Sequence, residues 1–218
     1  MRGSNSRPPR ILVTGFSVFP GAPVNPTEHL VAALRADPAL LASHGEVRAE
    51  VLPVEYGRVP GLLEALGRNF APDIAIHFGL SAKATGFTLE RLARNAIAAA
   101  KPDNCGVLPP PACIFDGGAD LPSTLPLDEI AARLAGAGLP VDWSDDAGGY
   151  LCNYLFYLSR SPAFAGLSAP MAGFVHVPPL REAEPAHPAA MPLADLVRGA
   201  RLVVAACAAS WGAARTGR

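Results

Sequence analysis

The sequence predicts an α/β fold: one domain with a mostly parallel, twisted sheet and helices on both faces. Three observations predict it. Short apolar runs ending in glycine, 10–15 (RILVTG) and 73–79 (DIAIHFG), have the near-continuous hydrophobicity of strands buried on both sides. Segments with helical patterning alternate with such runs along the chain. The 218 residues, half of them apolar and 17% charged, supply one sizeable core, and neither a composition shift nor an internal repeat marks a boundary.

In order, residues 1–9 are polar and basic and are expected to form a disordered lead-in to a single domain over 10–218. Residues 10–15 form the first buried strand. A loop with two phenylalanines follows, and then a helix start. Asn25 suits the N-cap, Pro26 the first helical position and Glu28 the acid of a capping box, with Leu30, Val31 and Leu34 as the buried face. A strand over 47–54 and a helix over 59–70 follow, the latter with Pro60 and Gly61 in its first turn. Residues 73–79 are a second core strand. Residues 87–95 alternate apolar and polar and read as one strand with a polar face. Residues 101–126, rich in Pro, Gly and Cys, read as a long irregular excursion, and such loops inside compact domains tend to be functional. A helix over 127–137, a brief strand over 141–144, a helix over 150–159, a strand over 172–177 and a closing helix over 193–214 complete the chain. Ligands of open α/β sheets sit beyond the carboxyl ends of the strands, which directs attention to the segments after Gly15, Gly79, Ser144 and Val177.

Composition excludes several classes of function. Eighteen Lys and Arg against nineteen Asp and Glu give a net charge of -1, with no basic stripe for nucleic acid. No apolar run reaches the roughly 18 residues of a membrane span, and the start lacks the apolar stretch of a signal peptide. A cytoplasmic location is therefore expected. Cys105, Cys113, Cys152 and Cys207 form no C-x2-C pair, which argues against zinc, and a chain of this size and compartment is not a disulfide framework.

Residues 144–153 (SDDAGGYLCN) are the most informative segment. A strand ends, small and acidic turn residues follow, and a helix begins near Cys152. A thiol in the first helical turn sits at the positive end of the macrodipole, beside N–H groups without intrahelical partners. Both features favour thiolate, and the same N–H groups suit an oxyanion. On local pattern, the rival reading of a buried small hydrophobe stays open. Of the five histidines, His29, His44 and His187 fall on surface segments, and His77 lies inside a strand run as a core histidine would. His176 falls near the carboxyl end of its strand, at the rim that Cys152 also occupies, although a core position is its alternative. Glu90 is one of few acids on a predicted strand; it either orients a histidine or faces solvent.

Three blocks carry a family resemblance. They are 13–28 (VTGFSVFPGAPVNPTE), 79–95 (GLSAKATGFTLERLARN, with its E-R-L-A-R-N ending), and SDDAGGYLCN followed by Phe156-Tyr157 and then FVHVP at 174–178. With these the chain resembles the pyroglutamyl peptidase I (pyrrolidone-carboxylate peptidase) family of cysteine peptidases, over about residues 11–180. The resemblance implies a single three-layer α/β/α sandwich of the kind also found in purine phosphorylases. It implies removal of N-terminal pyroglutamyl residues from peptides, with Cys152 as nucleophile, His176 as base and Glu90 as the group that orients it. Phe16 and Phe19 match lactam-lining positions, with Asn25, Tyr150 and Leu151 as further substrate contacts; a hydrophobic latch of the loop is the rival role for the phenylalanines. No metal or organic cofactor is implied, and a homo-oligomer is.

The chain departs from the family at Leu80, Ser81, Ala82 and Lys83, where many bacterial members carry a Gln-containing stretch. It also departs at Phe87, an aliphatic position, and at Ala100, where an Arg is common. Two other functions stay open on sequence: a cysteine hydrolase of another small N-acyl amide, and a weakly active homologue acting as a binding protein.

Overall fold

The structure is a computed structural model of the chain and describes residues 7–97, 101–109 and 113–216. Ala100 and most of the predicted lead-in, residues 1–6, lie outside the described residues. From Arg7 onward the lead-in is anchored: the Arg7 guanidinium donates to both carboxylate oxygens of Asp73, at 2.7 and 2.9 Å.

Six strands build the main sheet: β1 (Arg10–Phe16), β2 (Glu46–Leu52), β3 (Ile74–Leu80), β4 (Phe87–Glu90), β7 (Val141–Ser144) and β8 (Met171–Val177). Their order is β2-β1-β3-β8-β4-β7. The first four of that order are mutually parallel, whereas β4 runs antiparallel to β8 and carries β7 parallel to itself. The sheet is thus mostly parallel, as predicted.

Alternation along the strands divides the core into two layers. Ile11 and Val13, Ile74, Ile76 and Phe78, and Val175 and Val177 face one side. There they meet α1 (Pro26–Ala36), α3 (Leu127–Gly136) and α5 (Leu193–Thr216). Leu12, Phe16, Ala75, Ala172 and Phe174 face the other, against α2 (Val59–Phe70) and α4 (Leu151–Arg160). Helices on both faces make the three-layer sandwich. No helix among the described residues is long and apolar enough to cross a membrane.

Local signals explain the element boundaries. Asn25 caps α1, its side chain accepting from the Thr27 amide at 3.0 Å, so the cap closes through Thr27 and not through Glu28. Helix α2 ends on Ala71 in the left-handed region (φ 46), whose amide bonds back to Leu66 and Gly67. A short 3-10 turn, Pro38–Leu40, capped by Asp37, has no counterpart in the sequence reading.

Two expectations are corrected. The predicted single strand over 87–95 breaks at Arg91. After β4 the chain leaves the main sheet, and β5 (Leu92–Ala93) pairs with β6 (Leu121–Pro122) from the excursion, so that excursion is not irregular throughout. The break follows from hydrogen bonding: the Arg91 amide still bonds Ser144, but its carbonyl turns to the Ser123 amide. The second correction concerns strand direction: β7 runs opposite to β8, so Ser144 is not at the carboxyl edge of the parallel strands, yet Ser144 and residues 146–148 still border the cavity described below.

Two glycines on this framework make opposite predictions. A Cβ on Gly15 would lie 2.4 Å from the Thr27 carbonyl oxygen, whereas one on Gly61, in the first turn of α2, meets nothing within 4 Å. Gly15→Ala should lower unfolding stability by about 1–3 kcal/mol through overpacking. Gly61→Ala should raise it by about 0.4–1 kcal/mol by restricting the unfolded chain. Urea midpoints of the two variants check both signs.

Candidate active site

Cys152 is the second residue of α4, with Tyr150 at the N-cap in an extended conformation and offering no side-chain cap. The turn before it depends on Gly148, at φ +79, whose amide donates to Asp146 Oδ1 at 3.0 Å. The helix start is fixed from two sides. The Tyr150 hydroxyl donates to the Pro102 carbonyl at 2.9 Å. Buried Asn153 accepts from the Arg94 amide and donates to the carbonyls of Arg94 and Ala96, at 2.8–2.9 Å. The thiol then lies over Gly79 in β3. A Cβ there would approach Cys152 Sγ to 2.9 Å and the Phe174 ring to 2.6 Å, so only glycine lets the helix start settle on the sheet.

His176 pairs with Gly79 in the sheet register, which puts its ring beside the thiol. Its Nδ1 lies 2.6 Å from Glu90 Oε1, with the histidine 6% and the glutamate 1% exposed. A carboxylate only accepts, so Nδ1 donates and the ring's interaction with Cys152 falls to Nε2. Burial alone pulls the imidazolium toward losing its proton. The hydrogen bond and negative charge of Cys152, and after them those of Glu90, outweigh burial and push the His176 pKa from its ordinary 6.5 up to about 9. Glu90 does not face solvent; its other oxygen, Oε2, is buried without a hydrogen-bond partner among the described residues.

A cavity of about 620 Å3 opens over these groups, and all eight residues predicted for the site border it. Phe16 (2% exposed), Val54 and Leu151 are buried apolar walls. Phe19 is half-buried, tilted against the Tyr150 ring at 6.2 Å and held by paired backbone bonds with Ala22. Asn25 borders the cavity, yet its polar atoms serve the loop. Oδ1 accepts from the amide and hydroxyl of Thr27, and Nδ2 donates to Ser17.

The remaining histidines stand apart. His77 bonds Thr14 Oγ1 at 2.7 Å, and burial drives its pKa down to about 3, the behaviour of a neutral core histidine. His187 reaches the Ala82 carbonyl on the surface. Among the described residues no group of three or more His, Cys, Asp or Glu side chains is placed to hold a metal ion.

The sequence reading missed several groups that shape the site. Asp103, 3% exposed, accepts from the amides of Tyr56, Cys105 and Val107 and so ties the excursion to the phenylalanine end of the cavity. Thr88, Asp142 and Trp143 line the opposite end. The alternation of Thr88 with Glu90 was a readable signal for the first of these. The departures Leu80, Ser81 and Lys83 also border the cavity.

An α/β/α frame with a cysteine at a helix start, a histidine beside it and a buried carboxylate behind defines the class of cysteine hydrolases. Comparison with known proteins narrows the class. The family model for pyroglutamyl peptidase matches residues 9–210. The pyrrolidone-carboxylate peptidase of Pyrococcus furiosus is 38% identical over 181 residues, covering 79% of this chain and 82% of that protein. The enzyme of the same name from Cupriavidus pinatubonensis is 35% identical over 199 residues, covering 89% and 91%. The crystal structure of pyrrolidone carboxyl peptidase from Thermus thermophilus matches with a TM-score of 0.79 at 34% identity, covering 90% of this chain and 99% of that one. A mutant P. furiosus pyrrolidone carboxyl peptidase matches at 0.83 and 33%, covering 92% and 99%. The chain belongs to the pyroglutamyl peptidase family, and it is a cysteine-type omega-peptidase.

The raised His176 pKa gives a direct prediction. In the wild-type protein the ring should stay protonated through neutral pH and lose its proton near pH 9. In Cys152→Ala, without the partner's hydrogen bond and charge, the midpoint should fall. NMR titration of the ring checks this. A His176 midpoint near 6.5 that Cys152→Ala leaves in place would contradict the pairing.

Proposed function

We propose that the protein hydrolyses the bond after an N-terminal pyroglutamyl residue, with Cys152 as nucleophile, His176 as acid and base, and Glu90 as the positioning residue. The observation that carries the reading is the His176 ring, buried between Glu90 and the thiol at the floor of an apolar-walled cavity. The pyroglutamyl lactam is flat, compact and neutral, and such a ring suits a pocket of aromatic and aliphatic walls with a few polar groups for its N–H and C=O. Phe16, Phe19, Tyr150 and Leu151 supply those walls. Asn25 contributes by holding the phenylalanine loop in shape.

Catalysis follows from the placements. The Cys152 thiolate attacks the pyroglutamyl carbonyl carbon, and the first-turn N–H groups of α4 stabilise the oxyanion. Protonated His176 gives its Nε2 proton to the leaving amine, the C–N bond breaks, and a thioester remains on Cys152. Neutral His176 then takes a proton from water, whose oxygen attacks the thioester and releases free pyroglutamate. Glu90 keeps Nδ1–H engaged throughout, so Nε2 always faces the reacting atoms. A prolyl residue, which lacks the lactam C=O, leaves the polar groups of the pocket unpaired and is rejected. A cytoplasmic setting suits four unpaired cysteines. Assembly as a homo-oligomer rests on the family resemblance alone.

The test is release of a fluorescent amine from a pyroglutamyl amide, with prolyl and alanyl amides as controls. Cys152→Ala and Cys152→Ser should abolish turnover in folded protein; full activity in either would end the reading. Glu90→Gln should cut turnover by ~10²–10⁴, as loss of an orienting carboxylate does elsewhere. Because Glu90 also helps hold the His176 proton, the alkaline limb of activity should move below its wild-type position near pH 9 in this variant. The two limbs belong to the Cys152–His176 pair and not to either group alone. A Glu90→Gln enzyme within twofold of wild type, with an unmoved limb, would show that another group positions the ring.

A further inference from the structure

The sheet register draws a line across the site. On the face toward α4, Gly79 pairs with His176, His176 with Thr88, and Thr88 with Asp142. In the other direction, Phe16 lies two residues past the Thr14–His77 pair of β1 and β3. Adjacent strands are about 4.8 Å apart, so the row from Phe16 to Asp142 spans about 19 Å. The cavity follows this row, with the phenylalanines at one end and Thr88, Asp142 and Trp143 at the other. Cys152 stands over the middle, at Gly79.

On the peptidase reading, this row dictates how a peptide lies. The lactam fills the phenylalanine end, and nothing precedes it because it is the N-terminal residue. The chain beyond the scissile bond has one way out, over β8, β4 and β7. We propose that the β4–β7 half of the cavity is the subsite for the residue after pyroglutamate, and that Asp142 gives it a preference for a basic side chain.

The charges of that half single out Asp142. Its carboxylate is exposed, accepts from the adjacent Trp143 amide at 2.8 Å, and has no ion pair among the described residues. The other acids there are engaged: Glu90 with His176, and Asp146 with the Gly148 amide and, at 3.9 Å, Arg94. Asp142 stands two strands from His176, about 10 Å, so a short side chain next to the scissile bond falls well short of it. Lys and Arg have stems long enough to close the gap while their charge stays in water. Lys83, on the turn between β3 and β4, also borders the cavity and opposes a cation. The preference is accordingly that of one exposed pair, a few-fold and salt-sensitive.

Competition between pyroglutamyl-lysinamide, pyroglutamyl-alaninamide and pyroglutamyl-glutamamide in one reaction tests this; amides remove the terminal carboxylate as a variable. At low salt the wild-type order of kcat/KM should be Lys, Ala, Glu, with about three- to tenfold between the ends. The spread should narrow at high salt. Asp142→Asn should bring the Lys-to-Glu ratio toward one, and Asp142→Lys should reverse it. Hydrolysis of all three amides with a ratio that salt and both substitutions leave unchanged overturns the subsite and leaves the peptidase standing. Hydrolysis of none of them overturns the peptidase reading and the subsite with it.

Discussion

The hydrogen bond between His176 Nδ1 and Glu90 Oε1, 2.6 Å long and shut away from solvent, is the constraint on which the site depends. A carboxylate that is 1% exposed is tolerable only with a donor of high positive character, and the imidazolium is that donor. The imidazolium survives burial in turn because it also faces Cys152. Two groups that would each be costly alone become stable together: a buried acid and a buried cation. Removing one partner of a buried pair costs about 3–5 kcal/mol, because the other is left uncompensated. The antiparallel entry of β4 makes the bond geometrically available. It sets Thr88 opposite His176 and leaves Glu90, two residues on, diagonal to the ring on the same face.

The two faces of the sheet serve different ends. Toward α1, α3 and α5 the central strands present Ile74, Ile76, Phe78, Val175 and Val177, a bulky wall that carries hydrophobic stability. Toward α4 the same strands present Ala75, Gly79 and Ala172 beside Phe174, and the small residues let the helix start come close. Polar pins then replace bulk. Asn153 fixes residues 94–96 to α4, and Asp103 fixes the excursion to Tyr56. These buried side chains make no apolar contribution of note, but each satisfies several backbone groups, so the loops around the cavity are held to one arrangement.

Much of this was legible in the sequence, and the reasons differ by residue. Buried parallel strands read clearly because both faces are apolar. The helix over 59–70 and the strand over 141–144 were found with the same bounds as observed, where turn residues punctuate the chain. Asn25 announced the α1 cap by its own chemistry. Cys152, His176 and Glu90 were visible as candidates from position, and the resemblance of three blocks selected them. What stayed hidden depended on tertiary hydrogen bonds. Nothing local reveals that Arg91 turns its carbonyl to Ser123, ending β4 and opening a second small sheet. Strand direction was hidden too: β7 looks like any short strand, and only its pairing with β4 shows that it runs against β8. The roles of Asp103 and Asn153 belong to the same class, since Tyr56 lies tens of residues from Asp103 and residues 94–96 lie tens of residues from Asn153.

The central claim is that Cys152 carries the pyroglutamyl group covalently between the two chemical steps. Intact-protein and peptide mass spectrometry after rapid acid quench of the enzyme with an activated pyroglutamyl ester tests it most directly. The account predicts one added pyroglutamyl mass, located on Cys152, appearing before free pyroglutamate accumulates and absent in Cys152→Ser when hydrolysis is read over the same interval. An adduct on Cys105, Cys113 or Cys207 that precedes turnover, or full turnover with Cys152 permanently blocked by alkylation, would contradict it.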